Sequence, residues 1–232
     1  MRIAVIRFPG TNCETETAAA IRRAGGEAAL VDYRDTTLDG VDGVILPGGF
    51  SYGDYLRSGA IARFAPVMQP IRHLAEGGGI IVGICNGFQI LCEAHLLPGA
   101  LLHNAARRFS ARPVDIRIER ADLAVTRDFR EGECIRIPQA HGEGRYVADA
   151  GTIASLEAGR QVVLRYVPVP GSDMPHNPNG SVADIAGICN PAGNVIGFMP
   201  HPERLADPLL GGAVGHRFFT SLVGARAAEL TA

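Results

Sequence analysis

Through the first hundred residues the hydrophobic positions fall into short runs, and through the second hundred they begin to alternate. Residues 2–8 (RIAVIRF), 27–32, 41–46 and 80–84 are apolar stretches, each closed by glycine, proline or another turn former. Runs of that length, bounded in that way, read as buried β-strands. Between them, 12–24, 59–76 and 86–94 carry alanine-rich or amphipathic patterns that read as helices, the middle one interrupted by Pro66 and Pro70. Strands alternating with helices need crossover connections. This half therefore predicts an α/β architecture with a doubly wound, largely parallel sheet flanked by helices.

The later stretches RPVDIRIER, ECIRIPQ and VVLRYVPV are rich in β-branched residues and read as extra antiparallel strands on the same sheet. The tract VPVPGSDMPHNPNGS (167–181) is dense in proline, glycine and asparagine and is expected to be an exposed loop. A last strand, VIGFM (195–199), runs into a proline-stiffened turn, and 212–228 reads as a closing helix. No repeat or low-complexity tract divides the chain, so one domain over 1–232 is expected.

Ligands of open parallel sheets gather at the carboxyl ends of the strands. Three loops land there and should share one rim: FPGTNC (8–13), PGGFSYGDY (47–55) and GICNG (83–87). In the last, Gly83 and Gly87 flank Cys85 with the spacing of a nucleophile elbow, a sharp strand-to-helix turn whose crowding only glycine neighbours relieve. A cysteine there sits at a helix N-terminus, which favours the thiolate, and the amide of Asn86 would face an oxyanion. The same residue also reads as a small apolar side chain capping a buried strand.

A nucleophilic thiol needs a base. Among seven histidines, His201 follows an apolar strand and lies in Pro200-His201-Pro202-Glu203, where the prolines fix the backbone and Glu203 is placed to hold the imidazole tautomer. Alone, PHPE reads equally as a turn with an exposed ion pair. Gly48 and Gly49 let the backbone approach a ligand and supply a second oxyanion donor. His141 and Gly142, in QAHGEGRY, form a pocket-lining loop or a hairpin turn. Cys13 lacks flanking glycines and reads as a neighbour of the site, while Cys92, Cys134 and Cys189 read as core. Cys92 and His95 make no metal site without two further ligands, and no metal is expected.

Charge and composition remove other classes. A net charge of −2, with no basic run and no aromatic platform, gives no footprint for nucleic acid or an anionic membrane. Every cationic side chain except histidine is arginine, which excludes a Schiff-base lysine and a complete Walker A loop. The start has no signal-peptide cleavage pattern and nothing reaches membrane-spanning length, so a cytoplasmic location is expected. Five irregularly spaced cysteines suit reduced thiols.

Taken in order, PGGFSYGD, GICNGFQIL and MPHPE resemble the class I (triad) glutamine amidotransferases, and with FPGTNC, PQAHGEG, NPNGS and GFMPHPER the resemblance covers nearly the whole chain. It implies a flavodoxin-like sheet and L-glutamine as substrate. Cys85 would attack the side-chain amide, His201 would protonate the departing ammonia and then activate water, and Glu203 would orient His201. It further implies backbone donors near Gly49 and Asn86, and a pocket shaped by Gly48, Phe50, Gln89, His141 and Gly142. Ammonia would pass to a large synthetase subunit that carries ATP and Mg, with a small accessory subunit aiding assembly and no cofactor on this chain. The missing lysine suits that division. Two rivals share these residues: elbow-bearing cysteine hydrolases or chaperone-like proteins with a differently placed histidine, and a catalytically silent docking module. The His-x-Glu argues against the first and the intact Cys85, His201 and Glu203 against the second.

Overall fold

A computed structural model describes residues 1–168 and 175–229. The first half contains β1 (Arg2–Arg7), α1 (Glu14–Arg23), β2 (Glu27–Asp32), β3 (Gly43–Leu46), α2 (Met68–Glu76), β4 (Ile80–Ile84) and α3 (Asn86–Glu93). The second adds β5 (Ala100–Leu102), β6 (Ser110–Ile118), β7 (Cys134–His141), β8 (Arg145–Val147), α4 (Ala150–Ala158), β9 (Val162–Tyr166), β10 (Ile185–Cys189), β11 (Val195–Phe198) and α5 (His216–Glu229). Nine of the strands form one sheet in the order β2-β1-β3-β4-β11-β10-β9-β6-β7, and β5 pairs with β8 separately. From β2 to β11 the neighbours are parallel; from β11 to β7 every pairing is antiparallel.

The two halves of the sheet differ because their faces do. β3 and β11 are buried at every position, as strands covered on both faces must be, and so are continuously apolar. β7 alternates exposed and buried residues along its length, the mark of a strand with one wet face. That alternation corrects one expectation: Cys134 falls on the outward register and is exposed, while Cys92 and Cys189 are buried as expected.

The helix expected over 59–76 is shorter than its pattern. Ala65 precedes Pro66 and is extended (φ −62°, ψ 143°), the conformation a following proline imposes, so only a 3-10 turn at Ala62–Phe64 forms before α2. Pro70 lies in the first turn of α2, where its missing N–H has no intrahelical partner to lose. The closing helix starts at His216 rather than 212, because Gly215 passes so close to the Pro202 carbonyl that a Cβ would meet it at 2.1 Å.

The stretch 167–181 is not uniformly exposed. Residues 169–174 lie outside the described residues, but Asn179 and Ser181 are buried. Asn179 Nδ2 donates to the Gly144 carbonyl at 2.8 Å, and Ser181 Oγ accepts the Tyr146 amide at 3.0 Å, so polar residues here fasten the tract to β8. Among the described residues no helix is long and apolar enough to cross a membrane.

Candidate active site

The strand order brings four carboxyl ends together. β1, β3, β4 and β11 are consecutive parallel neighbours, so the segments after Arg7, Leu46, Ile84 and Phe198 emerge side by side. Register then sets the meeting of nucleophile and base. Phe198 lies opposite Ile84, so Cys85 and His201 leave adjacent strands at the same level, and the Cys85 amide donates to the Phe198 carbonyl at 2.8 Å.

Cys85 has φ 51° and ψ −103°, a left-handed conformation that a non-glycine residue adopts only where its surroundings enforce it. The enforcement is visible in its neighbours. A Cβ on Gly83 would meet the Gly87 carbonyl carbon at 2.6 Å, and one on Gly87 would meet the Leu46 carbonyl oxygen at 1.9 Å. Both glycines are thus required for β4 to turn this sharply into α3. Asn86 is the first residue of α3, so its amide has no helical acceptor.

His201 is almost completely buried, and its amide donates to the Pro138 carbonyl at 2.8 Å. Its Nδ1 meets Glu203 Oε1 at 2.5 Å. Burial alone would drive the imidazole neutral, but the Glu203 carboxylate and the Cys85 sulfur overcome it and raise its proton affinity well above the usual histidine value. Nε2, the nitrogen left over, has no well-aligned partner. A Cβ on Gly48 would touch the ring at 2.8 Å, so the double glycine after β3 makes room for the base.

Gly49 has φ 151°, and a Cβ there would strike the backbone of the first loop, at 2.7 Å from the Thr11 Cα. It forms a bridge with Thr11 that is flanked by bonds from Asn12 N to Gly48 O and from Phe50 N to Gly10 O. In that arrangement the bridging pair's own amides point away from each other. The Gly49 N–H is therefore turned away from the first loop, whereas the Phe50 N–H is already used.

A cavity of about 170 Å³ opens beside Cys85, lined among others by Gly49, Phe50, Gln89, His141 and Gly142. Gly48 and Asn86 are not among the residues that line it. Asn86 accepts the Ser51 amide at 3.1 Å and donates to Gln89 Oε1 at 2.8 Å, which ties the loop after β3 to α3. Gln89 Nε2 in turn donates to the Glu143 carbonyl. His141 contributes its backbone rather than a titrating ring: its nitrogens face Asn104 Oδ1 and Gln139 Oε1, and burial, aided by His201, lowers its proton affinity to about 3. Six lining residues are not among those the sequence pointed to: Asp54, Ser58, His103, Phe109, Ala140 and Glu143. The only hint of Asp54 is its place in the glycine-rich PGGFSYGD.

Cys13 is buried beside the base, where Arg204 donates to its Sγ at 3.3 Å. Burial raises its pKa, against a hydrogen bond from His201. Cys13, His201 and Glu203 are the one group among the described residues whose ligand atoms lie within 4.8 Å of one another. Glu203 Oε1 is already spent on His201 Nδ1, so these three read as an acid–base cluster rather than a ligand set.

The model of the CobB/CobQ-like glutamine amidotransferase domain matches residues 1–215. The chain belongs to that family. Among curated glutamine amidotransferases, it is 53% identical over 225 residues to the phosphoribosylformylglycinamidine synthase subunit PurQ of Gloeobacter violaceus, covering 96% of this chain and 97% of that one. It is equally 53% identical to the PurQ of Thermus thermophilus, over 96% and 98% of the two chains. A solved structure of PurLQS from Thermotoga maritima superposes with a TM-score of 0.86 at 44% identity, over 97% of this chain and 98% of that one. The glutaminase domain of Trypanosoma brucei CTPS with bound acivicin gives a TM-score of 0.63 at 13% identity, covering 98% and 94%, and shares the amidotransferase fold.

Proposed function

We propose that this chain is the glutaminase subunit of phosphoribosylformylglycinamidine synthase, a reading carried by its near full-length likeness to the PurQ subunits together with the juxtaposition of Cys85, His201 and Glu203. It hydrolyses L-glutamine to glutamate and ammonia. The ammonia goes to an ATP-dependent synthetase subunit that converts formylglycinamide ribonucleotide to formylglycinamidine ribonucleotide in de novo purine biosynthesis, and a small third subunit completes the complex. We place the reaction in the cytoplasm, with no cofactor on this chain and ATP and Mg on the synthetase. Residues 1–232 act as one amidotransferase domain.

In this reading the Cys85 sulfur attacks the side-chain carbonyl carbon of glutamine, and the oxyanion is met by the Gly49 and Asn86 amides. The protonated His201 gives its Nε2 proton to the departing nitrogen, which leaves as ammonia. The γ-glutamyl thioester remains. His201, now neutral, takes a proton from water, the hydroxide adds to the thioester carbonyl, and glutamate departs as the C–S bond breaks, restoring the thiolate beside a protonated His201. Glu203 keeps the ring aimed and stabilises its charge throughout. The raised proton affinity of His201 suits the first of these steps, because the proton must be present before the amine can leave.

The test is intact-mass and peptide mapping after exposure to an electrophilic glutamine analogue, with and without the synthetase and accessory subunits. An adduct on Cys85 that glutamine suppresses is expected. Labelling of Cys13 instead would overturn the elbow assignment, and no adduct even in the complex would favour the silent docking module.

A further inference from the structure

We propose that Asp54 and Glu143 clamp the α-ammonium group of the substrate and so restrict the site to amides of α-amino acids. This rests on the glutaminase reading and names what sets its specificity. The two carboxylates come from different elements, one from the loop after β3 and the other from the turn after β7, and converge on the cavity that ends at Cys85. Behind that thiol, the buried His201 Nε2 lacks a well-aligned partner and marks the end where the amide must lie. The acids line the remainder, which leaves them to the other end of the substrate.

Neither acid has a strong cation of its own. The chain has no lysine, and among the described residues no arginine is paired with Asp54 or Glu143. Glu143 Oε2 accepts from Ser58 N at 3.2 Å and Ser58 Oγ at 2.8 Å, which fixes its carboxylate plane, and Oε1 lies 3.3 Å from the largely exposed His103. Asp54 has only the weak approach of Asn86 Nδ2 at 3.5 Å besides Ser58. Burial and the Glu143 charge lift its pKa to about 6 against the Ser58 hydrogen bond. Two like charges facing one small cavity repel each other, and a cation that enters between them relieves that repulsion. The α-ammonium of glutamine is such a cation, with three N–H donors. The side-chain amide at the far end then reaches the thiol.

The assembled glutaminase–synthetase complex tests this with two amides, L-glutamine and glutaramate, its analogue lacking the α-amino group. Wild type is expected to prefer glutamine by at least about 10² in kcat/KM, because the analogue leaves the acids without their partner. Glu143→Gln and Asp54→Asn should each raise KM for glutamine about tenfold or more, with a smaller effect on kcat, and should lower kcat/KM for glutaramate far less than for glutamine, so that the preference for glutamine shrinks. Equal turnover of both amides by wild type would sink the clamp while leaving the glutaminase intact. So would variants that lose the same factor on both amides, the pattern of general damage to the site. A wild-type complex that cleaves neither amide would remove the underlying reading, and the clamp with it.

Discussion

Asp54 and His201 both hold protons more tightly than their residue types ordinarily do, with different consequences for pH dependence. Asp54, which faces Glu143, His103, Ser58 and Asn86 around the cavity, has its pKa raised to about 6, so lowering the pH from 7 to 5 protonates it and removes a charge that faces the substrate. KM for glutamine in wild type should therefore rise as pH falls through that window, whereas Asp54→Asn should show an elevated KM without that inflection. The same shift works against folding. The folded state binds this proton more tightly than the unfolded one, whose carboxyl titrates near 3.8, so stability is lost as pH rises from about 4 to about 6, and Asp54→Asn should melt higher at pH 7. His201 depends on Glu203 for its charge. Glu203→Gln keeps an acceptor near Nδ1 but removes the carboxylate, and kcat should fall by about 10²–10⁴. The imidazole pKa should fall with it, as read by proton NMR. Cys85, His201 and Glu203 were legible because each sits in a short pattern with its own reason. Asp54 and Glu143 were not: acids in glycine-rich turns look solvated, and their convergence depends on which loops face one another.

At the scale of elements, the elbow is a steric device and can be tested as one. Gly87→Ala places a methyl 1.9 Å from the Leu46 carbonyl, so β3 and α3 must part; stability should drop by about 1–3 kcal/mol in thermal denaturation and activity should vanish with the turn. Gly132→Ala is the control. Its φ is 83° but a Cβ there meets nothing within 4 Å, so it should lose only about 1–2 kcal/mol of backbone energy and keep activity. The strands of the first half were legible because each is an uninterrupted apolar run between breakers. Four elements were not, two of them, β5 and β8, being only three residues long. α4 buries only Leu156, so AGTIASLEA shows no apolar stripe, although its N-cap Asp149 accepts the Thr152 amide at 2.8 Å in the usual way. β10 reads IAGIC, short and broken by Gly187, whose Cβ would meet that of Phe198 on β11 at 2.7 Å.

Across the whole molecule, α5 ties the antiparallel half to the parallel one. Phe218 packs on Phe198 of β11 and on Phe129 from the loop between β6 and β7, and Arg217 pairs with Glu133 beside them. Phe218→Ala should cost about 3–5 kcal/mol of stability in urea unfolding, with kcat at low temperature falling less than tenfold because no catalytic group is touched. Sequence patterning found most of the strands but not their order: nothing in VIGFM says that it inserts between β4 and β10, and that insertion is what delivers His201 to Cys85. The register of β7 has a practical consequence. Its His141 end reaches the active site and its Cys134 end carries the single exposed thiol of the five, about 23 Å away at the usual rise of a strand. A maleimide dye would attach there first. A fluorescent glutamine-like electrophile would attach at Cys85, and the pair would form a built-in energy-transfer ruler for watching the subunit meet its synthetase.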